Sequence, residues 1–499
     1  MCRSAGRRRI SRLLSLRLAP FVVLACFSSC APRGVKVTSP ARVPEAFSSK
    51  GTALMPTKWW TAFGDAELDS LVDRALEGNF DLRTVWDRLD QARAVAAKSG
   101  APLLPAVDGG PRVSRTWTKT AGAPQLNVTE YSLGLSAGYE VDLWGRIRSA
   151  FDAARLDVYA TEEDLHAAAI TLVAEVARTW YQLVESRGQL RLLDEQIRTN
   201  EKYLEIITLK FRRGQVSATD VLQQRQLVEL TKGERIQVES NIRVFENRLA
   251  VLLGRAPGVL EVEVPAAFPP LPAMPAGGLP AEWVRRRPDV RAAELRVQAA
   301  DRRVASAIAD QFPKLSLLLN AETSAEKLRH LFDNWLANLA ANLVAPIFDA
   351  GLRRAEVERT RAVVSERLNF YGEVVLTSLQ EVEDAMAQEG KQAEYLGSLD
   401  RQLKLGKQST DETLANYTKG TMDFIRYLTT LLSYQRLQRT YLTAERDLVL
   451  FRIALYRALA GGWALPHPAP ARVSGPLGPV ADPDAQYSKE PAAEAESKR

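Results

Sequence analysis

Apolar and polar residues alternate along two stretches of the chain. Over residues 131–143 every second residue is apolar, and the residues between them are serine, glycine, glutamate or aspartate. This period of two predicts a β-strand with one apolar and one polar face. A second stretch, residues 335–347, has the same pattern, with asparagines at 338 and 342 on its polar side. Residues 112–120 and 315–323 are the strand candidates that precede them.

Each alternating stretch is followed by a long segment without proline. There is none between Pro124 and Pro257, and none between Pro346 and Pro466. Because proline inside a helix removes a hydrogen bond and clashes with the preceding turn, these segments permit long helices. Apolar residues spaced three and four apart support them. We predict helices over residues 146–213 and 351–419, each about 100 Å long at ~1.5 Å per residue. Flanking helices over residues 66–101 and 217–253 are each about half that length.

The two halves of the chain repeat each other. Residues 78–105 align with residues 286–313, the segment EVDLWG aligns with PIFDAG, and FRRGQVSATDVL aligns with YTKGTMDFIRYL, at offsets of 206 to 208. Three matches in one order at a nearly constant offset indicate a tandem duplication. Each half is predicted to contain a helix, two strands, a long helix, a turn and a helix. Glycines mark the corresponding junctions in both halves: Gly145 and Gly351 before the long helices, Gly214 and Gly420 after them.

Four strands with a lipid-facing side do not close by themselves. Membrane barrels need at least eight strands, and an open edge in lipid leaves backbone groups unpaired. Two chains would supply eight strands and three chains would supply twelve. The predicted fold class is therefore mainly α with a membrane β-barrel contribution. The alternative is a soluble sandwich in which the apolar faces pack together.

The N-terminus resembles a bacterial export signal. Six arginines lie within the first 17 residues, followed by an apolar run over residues 18–27. Small residues then precede a cysteine, which indicates lipidation of Cys30, with Cys26 as the alternative and a plain cleaved signal as the other interpretation. Without those six arginines, the remaining 60 basic residues balance 60 acidic ones. The basic net charge therefore gives no reason to expect a nucleic-acid partner.

The sequence offers little for catalysis. The three cysteines all precede residue 31 and the three histidines are widely separated, so no metal-ligand spacing is present. No phosphate-binding loop or nucleophile–base pair is recognisable. Asp142 and Asp349 stand at strand-to-helix junctions, where a carboxylate suits the helix N-terminus. We expect no catalytic site, no metal, no cofactor and no enzymatic activity.

Composition divides the chain into six segments. Residues 1–29 are the predicted signal peptide, residues 30–65 an extended anchor segment, and residues 66–255 the first repeat. A proline-rich crossover, residues 256–283, leads to the second repeat, residues 284–463. Residues 464–499 have the composition of a disordered tail.

The sequence resembles the TolC-like outer-membrane efflux proteins, and more closely their lipoprotein (NodT-type) branch. The matching segments run in order over about residues 56–463. They are WWTAFGDAELDSLVDRALEGNFDL, YEVDLWGRIR, RRPDVRAAE, FPKLSL, PIFDAG, LQEVEDAMA and YRALAGGW.

The resemblance implies a homotrimer with a twelve-stranded barrel in the lipid of the outer membrane. A periplasmic tunnel of helices would meet an inner-membrane pump through a periplasmic adaptor protein, and the exported substrates would be small molecules. It also implies a gate at the periplasmic helix turns. Thr219, Asp220 and Tyr417 match gate positions, and a Tyr417–Asp220 hydrogen bond is the expected lock.

The sequence departs from the family at the second turn. Members commonly carry aspartates about six and nine residues after the second glycine, where this chain has Arg426 and Thr429. Asp220 and Arg426 are equivalent across the repeat, so a salt bridge between them is the alternative pairing. Two other functions remain open: an outer-membrane duct for protein secretion, and a periplasmic coiled-coil adaptor.

Overall fold

The structure is a computed structural model that describes residues 37, 40–48, 51, 53–258, 262–275, 280–465 and 467 of the 499-residue chain. Cys26, Cys30 and the predicted lipid anchor lie outside these residues. The chain divides into two units, Met1–Leu465 and Pro466–Arg499, and all of the described helices and strands lie in the first.

The described elements follow the predicted order twice. The helices are α1 (Ala66–Gly78), α2 (Phe80–Gly100), α3 (Arg146–Arg212), α4 (Ala218–Leu252), α5 (Pro280–Arg286), α6 (Pro288–Ala309), α7 (Leu352–Thr418) and α8 (Phe424–Leu459). The strands are β1 (Ala106–Thr118), β2 (Leu126–Val141), β3 (Lys314–Ala325) and β4 (Trp335–Val344). A short 3-10 helix, Trp59–Phe63, precedes α1.

The two long helices confirm the prediction from proline spacing and begin in the same way. Gly145 and Gly351 precede them with φ of 74° and 87°, a left-handed conformation that glycine adopts without a steric penalty. Asp142 accepts hydrogen bonds from the backbone N–H of Ile147 at 3.1 Å and of Arg148 at 2.9 Å. Asp349 accepts one from the Gly351 N–H at 3.0 Å and a longer one, at 3.4 Å, from the Arg353 N–H in the first turn of α7. The expected capping role of both aspartates is therefore confirmed.

The prediction of one continuous helix over residues 66–101 was wrong. The helix breaks at Asn79, which has an extended backbone and caps α2 by accepting from the Leu82 N–H at 2.9 Å. The Asn79 amide also donates to the Leu252 carbonyl at 3.0 Å, so the break joins the start of α2 to the end of α4. The second repeat breaks equivalently at Arg287, between α5 and α6.

The strands form one antiparallel sheet in the order β1–β2–β3–β4. Its register places Gly109, Leu135, Ala321 and Ala337 in one row across the sheet. β1 begins at Ala106, six residues before the predicted start. The sequence pattern did not reveal this because Gly109, Gly110 and Pro111 are poor strand formers.

The long helices organise the helical packing. α3 packs against α1, α2, α4, α6 and α8, whereas α7 packs mainly against α6 and α8. One core surrounds Trp59, Trp60 and Trp180, and a second lies around Val290, Val375 and Leu455. A third, smaller core lies at the two helix turns. Among the described helices, none has the length and apolarity needed to cross a membrane.

Candidate functional site

The sheet has one apolar face that the chain leaves exposed. Alternation along the paired strands puts Leu133, Leu319, Trp335 and Leu339 on the same side. Trp335 is 77% exposed and Leu339 is 75% exposed. The opposite face is mainly polar, with Leu318 and Leu336 as apolar exceptions, and its polar residues are Asp108, Ser136, Asn320, Asn338 and Asn342. Exposed apolar surface of this extent on one side of a sheet marks contact with lipid or with another protein.

Both outer edges of the sheet are unpaired within the described chain. β1 pairs with β2 alone, and β4 pairs with β3 alone. Each edge therefore presents a row of backbone N–H and C=O groups without strand partners. Together with the apolar face, these edges leave room for strands of further chains to extend the sheet.

The two helix turns have the same backbone geometry. The Gly214 N–H donates to the Phe211 carbonyl at 2.8 Å, and the Gln215 N–H donates to the Lys210 carbonyl at 2.9 Å. The Gly420 N–H donates to the Tyr417 carbonyl at 3.1 Å, and the Thr421 N–H to the Asn416 carbonyl at 3.1 Å. Gly214 and Gly420 have φ of 69° and 75°. This is the glycine-terminated C-cap of an α-helix, used once in each repeat.

The predicted gate residues lie at these turns. Thr219 and Asp220 are in the first turn of α4, and Tyr417 is in the last turn of α7. Arg426 and Thr429 are near the start of α8, and both are exposed, as is Thr219. Asp220 and Tyr417 are half-buried. The fold thus places the five residues at the two turns.

The expected Tyr417–Asp220 hydrogen bond is not made within the chain. The Asp220 carboxylate accepts from the Ser217 N–H at 2.9 Å, and the Ser217 hydroxyl accepts from the Asp220 N–H at 3.2 Å, which together form a capping box. The Tyr417 hydroxyl is buried and has no hydrogen-bond partner in the described part of the chain. Burial, and secondly the negative charge of Asp220, raise the pKa of Tyr417.

An aromatic cluster holds the turns together. Tyr417 stacks on Tyr427 with ring centroids 6.2 Å apart at 8°, and it contacts Phe424 at 5.5 Å. Tyr427 contacts Tyr203 of α3 edge-on at 5.4 Å. The Lys210 ammonium lies 4.3 Å from the centroid of the Tyr417 ring.

Sequence analysis did not identify this cluster, although part of its signal was present. Phe424, Tyr427, Leu428 and Leu431 follow the spacing of one buried helix face. The Lys210 contact has no such signal because it joins helices from different repeats. The capping box was readable as Ser217 followed three residues later by an acid.

Comparisons with known proteins agree with these features. A family model described as outer membrane efflux protein matches residues 71–255 and 279–461. The pyoverdine export outer membrane protein OpmQ of Pseudomonas aeruginosa is 33% identical over 90% of this chain and 97% of its own length. The probable outer membrane lipoprotein SilC of Salmonella typhimurium is 26% identical over 91% of this chain and 99% of its own.

A solved structure of the outer-membrane channel OprN has a TM-score of 0.81 at 28% identity, covering 86% of this chain and 99% of that one. The matched structure is thus a channel of nearly the same extent as the described body. On these grounds the chain belongs to the outer membrane efflux protein family.

Proposed function

We propose that three copies of this chain form the outer-membrane duct of a tripartite efflux system. The observation that carries the proposal is the sheet: four strands, two unpaired edges and one exposed apolar face. Three chains supply twelve strands, enough to close a membrane barrel and to pair every edge. The polar face, with Asn338 and Asn342, then lines a water-filled lumen.

The long helices α3 and α7 continue from the sheet and form the periplasmic tunnel of this duct. Its partners are a periplasmic adaptor protein and an inner-membrane pump, as in the efflux systems to which the family belongs. The name of OpmQ assigns pyoverdine export to that protein. By this similarity, the cargo proposed for the present chain is a small molecule that enters from the periplasm.

The helix turns form the proposed gate of the duct. Thr219, Asp220, Tyr417, Arg426 and Thr429 are the gate residues because they lie where the long helices end. Arg426 is exposed, so three copies bring basic charge to the entrance, in place of an acidic ring. Reversing this charge with Arg426→Asp should therefore increase the preference for K⁺ over Cl⁻ in bilayer reversal potentials. An unchanged preference for K⁺ over Cl⁻ would show that Arg426 does not lie at the entrance.

A lipid on Cys30 is the proposed second membrane attachment. SilC, which is similar over nearly its full length, is described as a probable outer membrane lipoprotein. Labelling cells with radioactive palmitate should mark the wild type and Cys26→Ser but not Cys30→Ser. The reverse pattern would assign the lipid to Cys26.

Adjacent residues of β4 provide a matched test of the barrel. Leu339 lies on the apolar face and Asn338 on the polar face. Leu339→Arg places a charge in lipid, at a cost of about 2–4 kcal/mol near the bilayer midplane, whereas Asn338→Arg faces the lumen. We expect wild type and Asn338→Arg to reach the outer membrane and to conduct ions in planar bilayers, and Leu339→Arg to fail at assembly. Equal behaviour of the two variants, or a wild type without conductance, would overturn the proposal.

A further inference from the structure

The contact between Lys210 and Tyr417 joins the two repeats at the helix turns. Lys210 lies in the last turn of α3 and Tyr417 in the last turn of α7. We propose that the Lys210 ammonium on the Tyr417 ring, and not a hydrogen bond of the Tyr417 hydroxyl, is the latch within each chain that restrains the gate. This inference rests on the proposed function, since it names the contact that holds the proposed gate.

The hydroxyl of Tyr417 is poorly suited to act as the latch. It has no hydrogen-bond partner in the described residues of its own chain. The nearby acid, Asp220, is engaged in the capping box with Ser217. The Asp220 carboxylate is held at the Ser217 N–H by its Oδ2, so turning it toward Tyr417 would break one of the two hydrogen bonds of the capping box.

The ring of Tyr417 is held in place for a cation. Tyr427 stacks nearly parallel to it, at an interplanar angle of 8°, and Phe424 packs against it at 5.5 Å. Both neighbours come from α8, so the ring is fixed by the second repeat. Because this packing already restrains the ring, Tyr417 loses little side-chain freedom when a cation binds the negative face of the ring. That low cost favours cation–π binding.

Lys210 is held in place from the first repeat. Its carbonyl accepts the Gln215 N–H at 2.9 Å in the glycine-terminated cap, so the turn at Gly214 fixes its backbone. Its ammonium lies 4.3 Å from the ring centroid, within the range of a strong cation–π contact. Lys210 makes no ion pair with a carboxylate of the described chain. Its charge is therefore directed to the ring.

Four single variants distinguish a latch through the cation–π contact from a latch through the Tyr417 hydroxyl. Tyr417→Phe removes the hydroxyl and keeps the ring, and Lys210→Arg keeps a cation. Lys210→Met removes the charge and keeps the apolar stem, and Tyr417→Leu removes the ring. Lys202→Met is the matched control because Lys202 is exposed on the same helix, two turns from Lys210.

The measurement is the time-averaged KCl conductance per channel in planar bilayers, with native mass and thermal unfolding recorded for each protein. We expect Lys210→Met to raise the conductance about fivefold, as the loss of one cation–π contact predicts. Tyr417→Leu also removes the ring packing on Tyr427 and Phe424 and should raise the conductance at least as much. Tyr417→Phe, Lys210→Arg and Lys202→Met should match wild type. The double variant Lys210→Met/Tyr417→Leu should conduct no more than Tyr417→Leu alone, because the cation–π contact is already lost in that variant.

Two results would overturn the latch. One is a leaky Tyr417→Phe with an unchanged Lys210→Met, which assigns the restraint to the hydroxyl. The other is additive effects in the double variant, which shows that the two residues act separately. A wild type that does not conduct would instead contradict the proposed duct, so the two failures are distinguishable.

Discussion

Glycine occupies both helix turns because the backbone there has a positive φ. Gly214 and Gly420 have φ of 69° and 75°, and the hydrogen bonds that end α3 and α7 depend on that conformation. A Cβ added at either position meets no atom within 4 Å. The requirement for glycine is therefore conformational and not steric.

Gly214→Ala should destabilise the protein, since a residue with a Cβ pays about 1–2 kcal/mol in the left-handed region. Gly233 provides the control, because it lies inside α4 and its added Cβ also meets nothing within 4 Å. Gly233→Ala should stabilise by up to about 1 kcal/mol through helix propensity. Thermal unfolding of the detergent-solubilised proteins measures both. A melting temperature of Gly214→Ala at or above that of wild type would show that the turn does not require glycine.

At the proposed gate, the sequence predicted the position of residues better than their pairing within the chain. Glycine spacing and the repeat placed Asp220 and Tyr417 at the two turns, as found. Within the chain their hydrogen bond is not formed, and the Asp220 carboxylate instead accepts from the Ser217 N–H in the capping box. Which side chains pair depends on distances of a few ångströms between helices from different repeats. The pattern of residues along one helix does not encode those distances.

A buried ion pair between two helices helps to attach the crossover between the repeats. Arg452 of α8 and Glu389 of α7 have side chains that are 3% and 6% exposed. The Arg452 guanidinium donates to Glu389 at 2.8 Å from Nε and also donates to the carbonyl of Pro272 in the crossover. The pair thus connects three segments that are distant in sequence.

Arg452→Met should cost about 3–5 kcal/mol, because it leaves the Glu389 carboxylate buried without its partner. The double variant Arg452→Met/Glu389→Leu should recover part of that loss, since no charge remains buried. Lys391→Met is the control, as Lys391 and Glu394 form an exposed pair on α7 whose removal should leave stability unchanged. Thermal unfolding tests all three. A double variant less stable than Arg452→Met would contradict the assigned cause.

The bounds of the helices and strands show which sequence signals were sufficient to predict them. Proline-free segments and the spacing of apolar residues predicted α3 and α7 almost to the residue, because a long helix repeats its signal many times. The break at Asn79 and the early start of β1 were missed. Both depend on one or two residues whose local preference is decided by packing, such as the bond from Asn79 to the end of α4.

For the whole molecule, the sequence predicted the duplication and the strand count, and the structure shows a sheet that its own chain leaves open. Barrel geometry requires at least two chains, since eight strands are the minimum, and the number three is the proposal drawn from the family. A helical body with an exposed apolar sheet is consistent with a duct only if further copies cover both edges. The proposed duct therefore depends most on the oligomeric state of the protein.

The most direct test is the native mass of the complex extracted from the outer-membrane fraction in detergent, after subtraction of bound detergent. We predict about three times the mass of one mature chain, with the complex surviving dilution. A monomer, or a dimer with eight strands, would contradict the twelve-stranded trimeric duct.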